Sequence, residues 1–220
     1  IYEKSRALNN RANIYWLQEN YQLARDEYTR TFQINKAPVF YNNRARISYY
    51  YLSDQISKDT ILSDFQKAIE LDDKNSEWYL DRADYYLHLK NYDLAILDYS
   101  TIIDLDQSAS NYIDRADCYK DMEKYDLALS DYETAFEIST DINEKARVLN
   151  NRANIYWDQE NYQLARDEYT RAIDLEKDPL IYQNRARISY SYLSDQISKD
   201  TILSDFQKAI ELDDKNPIRY

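Results

Sequence analysis

Glycine is absent from this chain of 220 residues, and cysteine, histidine and methionine occur once each. Only glycine takes positive φ without steric penalty, so phosphate-cradling loops, tight β-turns and close backbone crossings mostly depend on it. Its absence argues against P-loops, Rossmann crossovers and β-barrels together, whereas helices joined by short polar turns can form without it. The single thiol, Cys118, has no internal disulfide partner, which favours a reducing, cytoplasmic setting. No apolar run approaches the ~20 residues needed to span a bilayer. Basic charge is also in deficit: 28 Lys and Arg against 40 Asp and Glu leave a net charge of −12. Nucleic-acid binding relies on cations that displace counterions, so a nucleic-acid partner is excluded, and an anionic membrane surface for the same reason. A basic protein segment is electrostatically acceptable. Catalysis finds no foothold either. His88 and Cys118 lie in different segments with no glycine-built oxyanion loop near them, and Cys118 is expected on a packed helix face.

What the chain has in abundance is internal repetition. Residues 6–75 recur at 147–216, offset by 141, with 12 differences over 70 positions. Within that unit an Arg-Ala pair marks a shorter period, at Arg11, Arg44, Arg82, Arg115, Arg152 and Arg185, with spacings of 33, 38, 33, 37 and 33. Four small repeats therefore make one super-repeat (33 + 38 + 33 + 37 = 141), and six are present. The expected boundaries are 1–37, 38–75, 76–108, 109–141, 142–178 and 179–216, with 217–220 opening a further repeat.

Each repeat reads as two amphipathic helices. In the third, Trp78, Tyr79, Arg82, Ala83 and Tyr86 fall at helical spacing; Asn91 then stands as an N-cap before Tyr92, Ala95, Tyr99 and Ile102. Second helices are expected near 20–34, 57–72, 91–105, 124–138, 161–175 and 198–213. Ala24, Ala95, Ala128 and Ala165 are small where helices must approach, and Tyr28, Phe65, Tyr99, Tyr132, Tyr169 and Phe206 are the large residues four positions on, Phe65 and Phe206 following an isoleucine. The segment 52–56 and its copy lengthen the turn inside the second and sixth repeats, and Ser57 and Ser198 cap the second helix of each.

This pattern resembles the tetratricopeptide repeat over nearly the whole chain. It departs from it in having alanine for the usual glycine in the first helix, and proline only at Pro38, Pro179 and Pro217. The resemblance implies an all-α, right-handed α-solenoid of about twelve helices, without cofactor or metal, that holds another protein. In that family the Arg-Ala arginine occupies a position usually held by leucine, so it should be partly buried and need a partner. The partners expected are Arg11–Glu27, Arg44–Asp64, Arg82–Asp98, Arg115–Asp131, Arg152–Glu168 and Arg185–Asp205, tying the two helices of each repeat together.

The resemblance also implies a concave groove lined by the first helices. The residue before each Arg-Ala pair should face it: Asn10, Asn43, Asp81, Asp114, Asn151 and Asn184. Asn13, Asp84, Asp117 and Asn154 come one turn later. Asparagine amides can bind an extended peptide backbone, and the acidic centre of the row calls for a Lys- or Arg-bearing partner. Trp16, Tyr49, Tyr50, Trp157 and Tyr190 would supply cation–π contacts. Chaperone-docking members hold a C-terminal carboxylate with cations; the matching residues here, Glu77 and Asp81, reverse that charge. The functional expectation is a scaffold that binds an extended, basic peptide. The alternative is a non-catalytic spacer or regulatory module of a larger enzyme or assembly. Both ends read as cuts through a longer array, and self-association is expected to be weak or absent, leaving a monomer.

Overall fold

A computed structural model describes residues 2–213, and among these there are twelve α-helices and no strand. They run in sequence as α1 (Tyr2–Leu17), α2 (Tyr21–Ile34), α3 (Pro38–Leu52), α4 (Lys58–Leu71), α5 (Ser76–His88) and α6 (Tyr92–Leu105). The second half comprises α7 (Ala109–Asp121), α8 (Tyr125–Ile138), α9 (Ile142–Asp158), α10 (Tyr162–Leu175), α11 (Pro179–Tyr192) and α12 (Lys199–Asp213). Every even-numbered helix is a predicted second helix. Its first predicted residue (Asn20, Ser57, Asn91, Lys124, Asn161 or Ser198) stands immediately before its first helical one. The segment 217–220, expected to open another repeat, lies outside the described residues, as does Ile1.

Local chemistry accounts for the helix starts. The Asn91 side chain accepts from Leu94 N, Ser57 from Thr60 N and Ser198 from Thr201 N, satisfying amides that have no partner inside the helix. Asp141 caps α9 through Asn143 N, so this helix starts early and spans 17 residues. Pro38 and Pro179 sit in the first turn, where no backbone N–H is required.

The turns inside repeats one, three, four and five are of one kind. Glu19, Lys90, Glu123 and Glu160 adopt positive φ, between 56° and 61°. The next residue's N–H reaches back to the carbonyl five positions earlier, as Lys124 N does to Tyr119 O at 2.8 Å. This is the Schellman closure, in which glycine is the usual residue. The chain has no glycine, yet it does use the left-handed region; four charged residues occupy it at a steric cost.

Contacts divide the chain into two compact units, 1–106 and 107–220, each holding three repeats. In the first, each helix packs on the next from α1 to α6, and α3 also touches α5; the second repeats this from α7 to α12, with α7 touching α9. The alanines Ala12, Ala24, Ala45, Ala83, Ala95, Ala116, Ala128, Ala153, Ala165 and Ala186 are all fully buried, which lets helix backbones close up. Tyr28, Phe65, Tyr99, Tyr132 and Tyr169 fill the space beside them, and Phe206 on the final helix is half-buried.

Each hairpin is also tied by an arginine. Arg44, Arg82, Arg115 and Arg185 each make two bonds to one carboxylate, with Arg82 Nε and Nη2 at 2.9 and 2.6 Å from Asp98. Arg11 directs two nitrogens at one oxygen of Glu27, at 3.1 and 2.5 Å. The Asp131 carboxylate bonded to Arg115 raises that guanidinium's pKa. The fifth repeat differs. Arg152 Nε faces Glu168 at 3.4 Å as an ion pair without a hydrogen bond, while its Nη1 donates to Glu133 and Arg171 pairs with Glu168 at 2.5 Å.

Candidate functional site

Odd-numbered helices carry the expected groove residues, and the two units divide them. Asn10 and Asn13 on α1, Asn43 on α3, and Asp81 and Asp84 on α5 belong to the first unit. Asp114 and Asp117 on α7, Asn151 and Asn154 on α9, and Asn184 on α11 belong to the second. Asn10 and Asn13 are exposed and the other eight half-buried.

The residue one turn beyond the Arg-Ala pair is held from behind. Tyr28 O–H donates to Asn13 Oδ1 at 2.5 Å, Tyr169 to Asn154 Oδ1 at 2.6 Å and Tyr99 to Asp84 at 3.4 Å; Tyr132 donates to Asp117. In each case a buried tyrosine of the second helix fixes a polar group on the outer face of the first. Burial, together with the Asp117 charge, pushes the Tyr132 hydroxyl pKa far up, so it remains a donor. The second and sixth repeats break the rule on both sides at once. There the first-helix residue is Arg46 or Arg187, which has no acceptor to offer, and the second-helix residue is Phe65, buried, or Phe206, half-buried, neither with a hydroxyl.

Arg46 and Arg187 are members of this face that the Arg-Ala register does not single out. The paired exchange of Asn/Asp for Arg and of Tyr for Phe is the sequence signal that marks them. Arg46 stands 3.7 Å from Asp81. Asp81 also accepts from Asn42 at 2.5 Å, so side chains of α3 hold a carboxylate of α5. Burial raises the Asp81 pKa, and both burial and the neighbouring Asp81 charge raise that of Asp84. The rings of Tyr49 and Tyr50 lie close enough that Asp84 helps raise their pKa values after burial. In the second unit Asn151 Nδ2 and Lys120 Nζ each approach Asp117 Oδ1 at 3.2 Å.

Between α1 and α3 lies an open cleft of about 320 Å³. Asn13, Asn43 and Arg46 supply its polar lining, and Trp16, Tyr50 and Tyr51 its aromatic walls. Its lining contains one cation and no carboxylate. Cys118 is buried, and burial beside Asp117, Asp121 and Asp114 pushes its thiol to about 12, which suits a packing role. His88 ends α5 with its ring against Tyr49 and Tyr85. Among the described residues no three His, Cys, Asp or Glu side chains converge as a metal site requires, and no helix is long and apolar enough to cross a membrane.

No curated protein matches the chain by sequence. Several solved structures resemble it in fold. The C-terminal part of a TPR repeat-containing protein from Cytophaga hutchinsonii aligns with a TM-score of 0.71 at 20% identity, covering 92% of this chain and 78% of that one. PilF of Pseudomonas aeruginosa aligns with a TM-score of 0.66 at 14% identity, covering 98% and 93%. YrrB, described as a TPR protein with an unusual peptide-binding site, aligns with a TM-score of 0.59 at 17% identity, covering 87% and 93%. Two family models of the tetratricopeptide repeat match residues 62–110 and 107–178, together more than half the chain. Together with the helix pairs, buried alanines and cross-helix aromatics, these matches identify the chain as a member of the tetratricopeptide repeat family.

Proposed function

We propose that the chain is a protein-binding scaffold, not a catalyst, and that its first-helix faces take an extended peptide segment carrying lysine or arginine. The observation that carries this reading is the Asp81–Asp84 pair. The two carboxylates lie one turn apart on α5, both half-buried, and the charge of the first disfavours ionisation of the second. Arg46 offsets part of that charge, and a cation from a partner would offset more, with the Tyr49 and Tyr50 rings near enough to add cation–π contact. In the second unit Asp114 and Asp117 occupy the corresponding positions on α7. YrrB, a protein of the same fold, is described as having a peptide-binding site, which is in keeping with this use of the repeats.

The test is calorimetry with an acetylated, amidated peptide of alternating lysine and serine, beside its glutamate–serine counterpart. Asp81→Asn/Asp84→Asn and Asp114→Asn/Asp117→Asn remove charge while keeping an acceptor for Tyr99 and Tyr132, as Asn13 and Asn154 do natively for Tyr28 and Tyr169. Each variant should bind the basic peptide several-fold more weakly with helicity unchanged. Affinity should also fall with salt, because accessible charges are screened beyond ~8–10 Å near physiological ionic strength. Undiminished binding in the four-site variant at high salt, or equally tight binding of the acidic peptide, would sink the proposal.

A further inference from the structure

A basic peptide leaves one feature of the first-helix face unused, the cleft beside Arg46, whose lining has no acid. We infer that this cleft is a subsite for an aspartate or glutamate side chain of the bound segment, and that Arg187 repeats it in the second unit. The preferred partner is then amphoteric, an acidic side chain near its basic ones. This rests on the first-helix face being the peptide-binding face.

The chemistry of the lining decides the ligand. In a chain of net charge −12 the cleft presents one guanidinium and no carboxylate. Arg46 makes no hydrogen bond among the described residues. Its Nε comes no nearer than 3.7 Å to Asp81, and its side chain is 45% exposed. Asn13 has its oxygen committed to Tyr28, so its Nδ2 donors are what remains to a ligand. Asn43 adds a further amide. Arg46 faces Asp81 through Nε alone, so its remaining N–H groups and the two amides make a set dominated by donors, which fits an acceptor bearing negative charge. Trp16 and Tyr50 wall the cleft with rings that displace water and strengthen a charge-assisted bond inside it. At about 320 Å³ the cleft has room for a carboxylate side chain together with adjoining atoms of the bound segment.

The internal duplication supplies a second copy. Asn154, Trp157, Tyr169, Asn184, Arg187, Ile188 and Tyr192 stand where the first unit has the same residue types 141 positions earlier; of the lining residues only Tyr50 differs, as Ser191. Tyr169 holds Asn154 as Tyr28 holds Asn13. Tyr192 stacks on Tyr162 at 3.9 Å as Tyr51 stacks on Tyr21 at 3.8 Å. The Arg187 guanidinium lies 4.4 Å over the Trp157 ring, and no acid is paired with it among the described residues. A phosphate-rich polymer would meet the acidic remainder of the molecule. A peptide terminus meets a single guanidinium here, with Glu77 and Asp81 at the positions a clamp for the chain end would need as cations.

The test uses the whole chain and three acetylated, amidated lysine–serine peptides: one unmodified, one with a central glutamate, one with glutamine there. A fourth ends in a free carboxylate. The glutamate peptide should bind about tenfold more tightly than the glutamine peptide, the scale of a charge-assisted bond. Arg46→Gln/Arg187→Gln should abolish that difference, and Arg46→Lys/Arg187→Lys should keep part of it. Equal affinity for glutamate and glutamine, or a difference that survives Arg46→Gln/Arg187→Gln, overturns the subsite while leaving the basic-peptide reading standing. Tighter binding of the free-carboxylate peptide than of the glutamate one reassigns the cleft to a chain end and also overturns it. If the unmodified peptide fails to bind but glutamate still confers arginine-dependent binding, the subsite stands and the basic reading falls. No binding by any of the four overturns both.

Discussion

The hydroxyl of Tyr169, buried on α10, donates to Asn154 Oδ1 on α9 at 2.6 Å and so fixes an amide on the outer face of the repeat from inside its core. Four of the six repeats have this arrangement, and the two that lack the hydroxyl, at Phe65 and Phe206, also lack the acceptor, having Arg46 and Arg187 instead. A buried hydroxyl without an acceptor is costly, so the aromatic residue and the surface residue are chosen together.

This coupling is measurable. Tyr169→Phe should cost about 1 kcal/mol, the net worth of one such bond. Phe65→Tyr alone should cost about 1–3 kcal/mol, because the new hydroxyl meets Arg46. Adding Arg46→Asn should recover most of that loss. Urea denaturation of the four members of the Phe65/Arg46 cycle gives the coupling energy directly. Strictly additive effects would show that the correlated residues do not interact.

The Arg115–Asp131 pair is a tie between helices whose members depend on each other. Asp131 is 7% exposed, and its two oxygens take Arg115 Nε and Nη2 at 2.7 and 2.8 Å. Removing Arg115 alone leaves the buried Asp131 carboxylate without its cation, at a cost of about 3–5 kcal/mol, and removing Asp131 alone takes both of these bonds from Arg115. Replacing both, with Arg115→Met and Asp131→Leu, should be close to neutral. Thermal denaturation of the two single variants and the double one decides this. A double variant as unstable as the worse single one would mean that the pair contributes more than mutual neutralisation.

The left-handed turns offer a gain in stability. Glu123 holds φ at 57°, where a side chain crowds its own backbone. Glu123→Gly should stabilise by about 0.5–1 kcal/mol, while Glu123→Ala, which keeps the Cβ, should not. A fall in melting temperature for Glu123→Gly would mean that the extra freedom of the unfolded chain outweighs the relieved strain.

Helix placement was legible in the sequence because it is a local, periodic property. The Arg-Ala register and the residues Asn91, Ser57, Ser198 and Asp141 act on amides a few positions away, and those contacts follow from helical geometry alone. Salt-bridge partners within a repeat were legible for a related reason: two helices joined by a short turn have few ways to pack, so a fixed offset of 16, or 20 across the longer turn, brings arginine to acid. Contacts between repeats were a different matter. That Asp81 is held by Asn42 and Arg46 of the preceding repeat, and that Arg152 donates to Glu133 as well as facing Glu168, depends on how one hairpin is rotated against the next. That rotation is set by the summed packing of many side chains, and no spacing along the chain encodes it. The same stacking sets Arg46, beside Asp81, in the wall of a cleft whose lining has no carboxylate, in an acidic molecule. Tertiary structure alone decided that, because the charges lining a cavity are settled by which helices meet, not by how many charges the chain contains.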